Sequence, residues 1–282
     1  MPMLLSVVII TFNEEANIGR TLASVQPLVT DGKGEIIVVD SGSTDRTVEI
    51  AKSYGAKVFG EEWKGYAAQK NSAIEKANAD WIFSLDADEE IDSELVRELI
   101  GHAADGPPLH SSREWCLTMH ASSNPEFLKG VPTGFFVRRK NFFLMRWIKH
   151  GGFWPDPKLR LFRRGTGKFE NRAVHEDVCV HGRVKLIPYG ALIHHSYPTL
   201  SDYVEHMNRY SSLGAEMVVA EGKVHFSVIN IVLRPLFTFL YNYFFRLGFL
   251  DGREGLLLHL YHAAYVSWKY AKAWELRRTR SD

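Results

Sequence analysis

Cysteine is nearly absent from this sequence. Cys116 and Cys179 alone among 282 residues exclude a disulfide framework and a multi-cysteine metal cluster, and they suit a reducing compartment. No charge sign dominates either: 34 Lys and Arg stand against 33 Asp and Glu, a formal net charge of +1. That balance argues against nucleic acid as a partner, since such binding draws on bulk positive charge. A phosphate cradle is missing. Neither G-x-x-x-x-G-K-[ST] nor a G-x-G-x-x-G after the first strand occurs, and the short DSGST of residues 40–44 replaces neither. Internal repeats and low-complexity segments are lacking. The N-terminal apolar run carries no basic leader and no small-residue cleavage site, so it reads as a first strand rather than a signal peptide.

What is present is alternation of strands and helices. Apolar runs at 4–10, 35–40 and 81–86 suit strands covered on both faces, and AKVFG (56–60) suits a short one. Between them, Asn13 is placed to cap a helix whose buried stripe is Ile18, Leu22 and Val25. A second helix ends at Gly55, a suitable C-cap, and a third covers 65–77. Strands separated by helices of this length predict an α/β fold with a parallel sheet and right-handed crossovers. After a Pro- and Ser-rich break at 104–113 the texture changes. EWCLTMH (114–120), GFFVRRKNFF (134–143), KLRLFRR (158–164) and VKLIPYGALI (184–193) predict an antiparallel or mixed extension of the sheet, and 199–221 a helix. The expected organisation is a catalytic domain over 1–224, with halves 1–105 and 106–224, and a C-terminal helical extension over 225–282.

Ligands of open parallel sheets bind beyond the carboxyl ends of the strands. The residues expected there are Thr11–Asn13, Asp40–Ser43 and Asp86–Asp88. The Asp40 carboxylate either caps the following helix or accepts from a base N–H or a ribose hydroxyl. Asp86 and Asp88 lie one residue apart, and on extended backbone they point to the same side. Such a pair repels unless a cation sits between. Either the acids face water and open the next helix, or they hold a hard ion, Mg²⁺ or Mn²⁺, against a diphosphate. Lys70 on the third helix can supply a further cation or simply face solvent.

Several segments in order resemble one family. Residues 7–25, 35–59, 67–74 and 80–91 are similar to the nucleotide-sugar half of family 2 glycosyltransferases, which have the GT-A fold. GGFWPDPKLRLFRR (151–164), FENRAVHEDV (169–178) and KYAKAWEL (269–276) resemble the bacterial subgroup that includes lipopolysaccharide-core β-1,4-glucosyltransferases. The resemblance spans nearly the whole chain; Phe12 departs from it, tyrosine being usual. It implies that Asp86 and Asp88 form a D-x-D metal motif for Mg²⁺ or Mn²⁺. Thr11, Asn13, Glu15, Asp40, Ser43 and Lys70 would then surround the nucleotide sugar with Asp86. Arg160 would contact a phosphate of donor or acceptor, and UDP-glucose is the donor implied.

Inverting transfer needs a base for the acceptor hydroxyl. Adjacent Glu176 and Asp177 offer one, since on a strand only one of them can face the cleft, and the VHE pattern of the subgroup favours Glu176. His194 or His195 can supply a third metal ligand, as a histidine does in some GT-A enzymes, or a structural hydrogen bond, and His194 matches the subgroup's pattern better. The basic, aromatic segment 138–154 can line the acceptor site. Residues 226–250 are apolar and aromatic, but Arg234, Pro235 and Arg246 interrupt them. They suit helices lying at a membrane interface better than a span, or else a helical cap or dimer face. The expectation is a peripheral enzyme at the cytoplasmic face of the inner membrane, acting on a lipopolysaccharide-core, glycolipid or polysaccharide acceptor. Transfer to a polyprenyl phosphate is the second enzymatic reading, and a non-catalytic nucleotide-binding module a third.

Overall fold

Two runs with almost no polar alternation, β1 (Leu5–Thr11) and β2 (Gly34–Asp40), pair in parallel with little of either exposed. β3 (Lys57–Gly60), shorter and more polar, adds in parallel to the outer side of β2. β4 (Trp81–Asp86) pairs in parallel with the other side of β1. The connecting helices are α1 (Ile18–Val29), α2 (Thr47–Ser53) and α3 (Tyr66–Glu75). The computed structural model describes residues 5–105, 131–170, 178–222 and 226–279. The predicted strand 114–120 lies outside them.

From β4 onward the pairing changes sense. β5 (Glu89–Ile91) leads into α4 (Ser93–Asp105), followed by β6 (Gly134–Phe143), β7 (Arg146–Trp147), β8 (Lys158–Arg163), β9 (Gly167–Phe169), β10 (Val178–Val180) and β11 (Val184–Tyr197). The sheet order is β3-β2-β1-β4-β8-β6-β11-β5. β8 is antiparallel to β4 and to β6, and β5 is antiparallel to β11, so the predicted mixed extension is present. The described residues fall into two compact units. Unit 1 lies within Met1–Arg139, Pro157–Arg172 and Glu176–His194, and unit 2 within Lys140–Asp156, Ala173–His175 and His195–Asp282.

Unit 1 packs Ile18, Leu22 and Val25 of α1 against Val7, Ile9, Val38 and Phe83 of the sheet, all essentially inaccessible. Each such side chain stabilises the fold by about 1.5–3 kcal/mol when fully buried. Glu35, also buried, is held by Ser6 Oγ at 2.7 Å, the Asn78 amide at 2.7 Å and Lys57 Nζ at 2.8 Å. Gly190, at φ 76°, leaves room for the Leu95 backbone, whose nitrogen would lie 2.2 Å from an added Cβ.

One local expectation is corrected, and one of two alternatives is removed. Asn13 caps no helix: it sits at φ 52° in the loop, and α1 starts at Ile18 with Asn17 before it. The Asn13 side chain is taken instead by the neighbouring loop. The acids after β4 do not open a helix either, because β5 intervenes and α4 begins at Ser93.

In unit 2, β7 folds back on the end of β6 through Leu144 and Met145, pairing Phe142 with Trp147 and Phe143 with Arg146. α5 (Leu200–Ala220) starts with a capping box in which Thr199 and Asp202 satisfy each other's backbone amides. Such reciprocal caps hold helix starts in place. Residues 229–233 and 241–245 form π-helical turns around α6 (Arg234–Leu240), and α7 (Gly252–Thr279) follows. Phe143, Ile148, Tyr203, Met207 and Leu258 form the core here. Lys272 Nζ ties α7 to α5, 2.7 Å from Asn208 Oδ1 and 2.8 Å from Ser211 Oγ. Among the described residues no helix is long and apolar enough to cross a membrane.

Candidate active site

Register brings the strand-end residues together. Thr11 is the partner of Asp40, and Ile10 the partner of Asp86, so Thr11, Asp40 and Asp86 end three adjacent parallel strands. The loops beyond β1 and β2 are stapled to each other. The Asn13 amide donates to Ser43 Oγ at 2.8 Å, and Asn13 Oδ1 accepts from the Thr44 amide at 2.8 Å. Glu15 Oε2 accepts from the Arg46 amide at 3.0 Å. Asp40 folds its own turn: Oδ2 accepts the Gly42 and Ser43 amides, both at 2.9 Å, and Oδ1 accepts Ser43 Oγ at 2.5 Å. Asn13, Glu15, Asp40 and Ser43 therefore fix loop shape through these contacts.

Next to this edge lies a buried charge network. Asp86 accepts from two cations, Lys70 Nζ at 2.9 Å on Oδ1 and Arg160 Nη2 at 2.5 Å on Oδ2. The same Arg160 nitrogen reaches Glu89 Oε1 at 2.7 Å, and Arg139 Nη1 stands 3.3 Å from that oxygen. Glu89 Oε2 accepts the Asp86 amide at 3.2 Å. Burial by itself would raise the Asp86 carboxyl, but the charges of Arg160 and Lys70 outweigh it and hold Asp86 well below the usual carboxylate range. Arg160 is opposed by burial and sustained by Asp86 and Glu89, with a net upward shift. Two carboxylates and three cations meet here, so the network can accept an anion. Thr11 Oγ1 and Arg160 Nε are buried and without a hydrogen-bond partner among the described residues.

Asp88 stands apart from the network. It lies in the turn between β4 and β5 rather than on the strand, so the same-side geometry expected of extended backbone does not apply. Its Oδ2 is 3.2 Å from His194 Nε2, on β11. Burial pushes the Asp88 carboxyl up, and the hydrogen bond and charge of His194 pull it down further, leaving it lowered. The Asp88 carboxylate and the His194 imidazole are an oxygen and a nitrogen donor of the kind that could hold a divalent ion. No group of three or more candidate ligands occurs among the described residues. Glu14, whose carboxyl is raised by burial and by Asp88 and Asp45, adds negative charge nearby. His195 instead stacks on Phe142 with centroids 5.5 Å apart.

Of the residues picked from sequence, Lys70, Asp86 and Arg160 form one network, Asp88 and His194 a pair, and Thr11, Asn13, Glu15, Asp40 and Ser43 the adjoining edge. Glu176 and Asp177 lie outside the described residues. Glu89, Arg139 and Glu14 were missed. Glu89 stands in a run of four acids that reads as solvated, and Arg139 in a basic strand with no obvious partner. The usable signal was period-two alternation in GFFVRRKNFF, which puts Arg138 and Arg139 on opposite faces.

The mixed sheet, with polar residues at the carboxyl ends of its parallel strands, has the GT-A fold. The chain belongs to the family 2 glycosyltransferases: the glycosyl transferase family 2 model matches residues 6–166. A lipopolysaccharide core biosynthesis glycosyltransferase, LpsC, of Rhizobium meliloti is 30% identical over 277 residues, 96% of this chain and 92% of the relative. An uncharacterized glycosyltransferase of Rickettsia typhi is 32% identical over 282 residues, 96% and 87% of the two chains. A mannosyltransferase of Pyrobaculum calidifontis, solved with GDP-mannose and Mn²⁺, superposes with a TM-score of 0.53 at 14% identity, covering 97% of this chain and 87% of that one. It shares the fold.

Proposed function

We propose that the chain moves a hexose, glucose from UDP-glucose, with inversion onto a lipopolysaccharide-core, glycolipid or polysaccharide acceptor. The observation that carries this reading is the Lys70–Asp86–Arg160–Glu89 network beside the Asp88–His194 pair. It brings together cations that suit a diphosphate and a carboxylate–imidazole pair that suits a divalent ion. The name of the Rhizobium relative supports the acceptor class.

In this reading Asp88 and His194, with Asp86, would hold Mg²⁺ or Mn²⁺. The ion supplies Lewis-acid stabilisation of charge on the departing diphosphate. Lys70 and Arg160 hold the phosphates, while Thr11, Asn13, Glu15, Asp40 and Ser43 shape the nucleotide edge. Glu176 accepts the acceptor's proton, with Asp177 the alternative. The enzyme works at the cytoplasmic face of the inner membrane, docked through the extension after His225. Phe226, Ile229, Phe237 and Phe245 there are more than half exposed, and apolar patches of this kind mark interaction surfaces.

A donor screen by calorimetry with Mn²⁺, followed by transfer assays on core oligosaccharide and on short-chain polyprenyl phosphate, tests the reading. UDP-glucose should bind and core oligosaccharide should be glucosylated. Turnover on polyprenyl phosphate alone would replace the acceptor, and nucleotide binding with no transfer or donor hydrolysis would leave a binding module.

A further inference from the structure

The tip of the β6–β7 hairpin in unit 2 is built against local preference. Leu144 and Met145 have φ angles of 48° and 65°, the left-handed backbone for which two-residue hairpin turns favour Asn-Gly or Asp-Gly. Leu144 packs into the core of the unit, but Met145 is 71% exposed. Both residues line a cleft of about 610 Å³ whose other wall includes Leu250. Leu247, just before, is again a non-glycine in the left-handed region, at φ 60°. At the hairpin tip this backbone leaves Met145 turned to solvent.

Cations line the same cleft. Lys149 Nζ lies 4.5 Å from the centroid of the Trp147 ring and makes no ion pair among the described residues. Arg146 reaches Glu254 only at 3.4 Å, with both side chains partly exposed. The cleft's other carboxylate, Asp251, is turned inward. It is buried and saturated by the Lys149 and His150 amides at 3.2 and 2.8 Å and by His150 Nδ1 at 2.9 Å. The indole nitrogen of Trp147 is buried with no hydrogen-bond partner among the described residues. Cations, the Trp147 ring and apolar side chains on its rim together describe a site for an anionic, amphipathic molecule.

We propose that this cleft binds the phosphate-bearing headgroup of a membrane lipid. Lys149 and Arg146 pair with the phosphate, Trp147 sits at headgroup depth, and Met145 and Leu250 enter the acyl layer. Tryptophan and basic side chains favour that depth in membranes. A second copy of the chain would bring the same cations and is the poorer complement. The inference rests on the membrane-docked reading above.

Flotation of the full-length protein with phosphatidylcholine vesicles, with and without phosphatidate, tests it. Wild type should float with the phosphatidate vesicles, and Arg146→Gln and Lys149→Gln should each weaken partition about fivefold, about 25-fold together. Lys149→Arg should restore it. Wild type that stays soluble with both vesicles overturns the membrane reading and this proposal together. Wild type that floats while the double variant floats equally overturns the cleft alone. Loss of self-association in the double variant, by sedimentation equilibrium, would make the face a homodimer contact and overturn the lipid site. Should the variants fail to fold, dihexanoyl phosphatidate below its micelle concentration must change the tryptophan emission of wild type. Inorganic phosphate must not, and Trp147→Phe must remove the response. No response, or an equal response to phosphate, overturns the proposal.

Discussion

Arg160 Nη2 stands 2.5 Å from Asp86 Oδ2, and this contact makes the two acids of the D-x-D motif unequal. Asp86 is engaged by Arg160 and Lys70 at both oxygens, whereas Asp88 faces the imidazole of His194. One acid orders cations; the other pairs with an imidazole. Arg160 also neutralises Glu89, which is fully buried.

Removing Arg160 should therefore cost stability as well as activity. Arg160→Met leaves the buried Glu89 and the partly exposed Asp86 each short of a partner, and breaking a buried pair costs about 3–5 kcal/mol. Urea unfolding at neutral pH measures it. A loss below about 1 kcal/mol would mean that Lys70 and Arg139 neutralise the acids without Arg160.

The base can be assigned by separating kcat from donor affinity. Glu176→Gln should lower kcat severely and leave the affinity for UDP-glucose near that of wild type, since proton acceptance matters in the transition state. If Asp177→Asn abolishes turnover and Glu176→Gln does not, the roles are exchanged. Weaker donor binding in Glu176→Gln would give that residue a binding role.

His259 should make stability fall with acid. It is buried, with neither ring nitrogen partnered among the described residues. Burial, and then the charge of His262, lower its pKa to about 4, against a small opposing effect of Asp251. The unfolded chain binds a proton near pH 6.5 and the folded one only near 4, so stability is retained above the unfolded value and lost as pH falls between the two. The full loss is on the order of 3 kcal/mol. Unfolding midpoints between pH 7 and 4.5 should drop in wild type, and the slope should shrink in His259→Asn. An unchanged slope would assign the pH dependence to other groups.

Much of this architecture is legible in the sequence, and the misses share a cause. β1, β2 and β4 are visible because strands buried on both faces require unbroken apolar runs, and α1 because Ile18, Leu22 and Val25 fall on one helical stripe. Thr199 and Glu221 bound α5 where capping chemistry places them. Asn13 misleads because its side chain bonds a loop 31 residues away, a tertiary contact that outcompetes a local cap. Glu89 is hidden for the same reason: its partners, Arg160 and Arg139, are supplied by distant strands. The hairpin at Leu144 and Met145 carries no turn signal at all, since neither residue favours the backbone it adopts.

The account turns on Asp88 and His194 holding a divalent ion against the donor. Calorimetric titration of UDP-glucose into wild type and Asp88→Asn, each with Mn²⁺ and again with excess EDTA, tests this most directly. Wild type should bind only with the metal. Asp88→Asn should lose on the order of 100-fold in affinity or more, because even residues that merely support metal ligands cost 10–100-fold. Donor binding and glucosyl transfer at full strength in excess EDTA, or an Asp88→Asn titration that matches wild type, would contradict it.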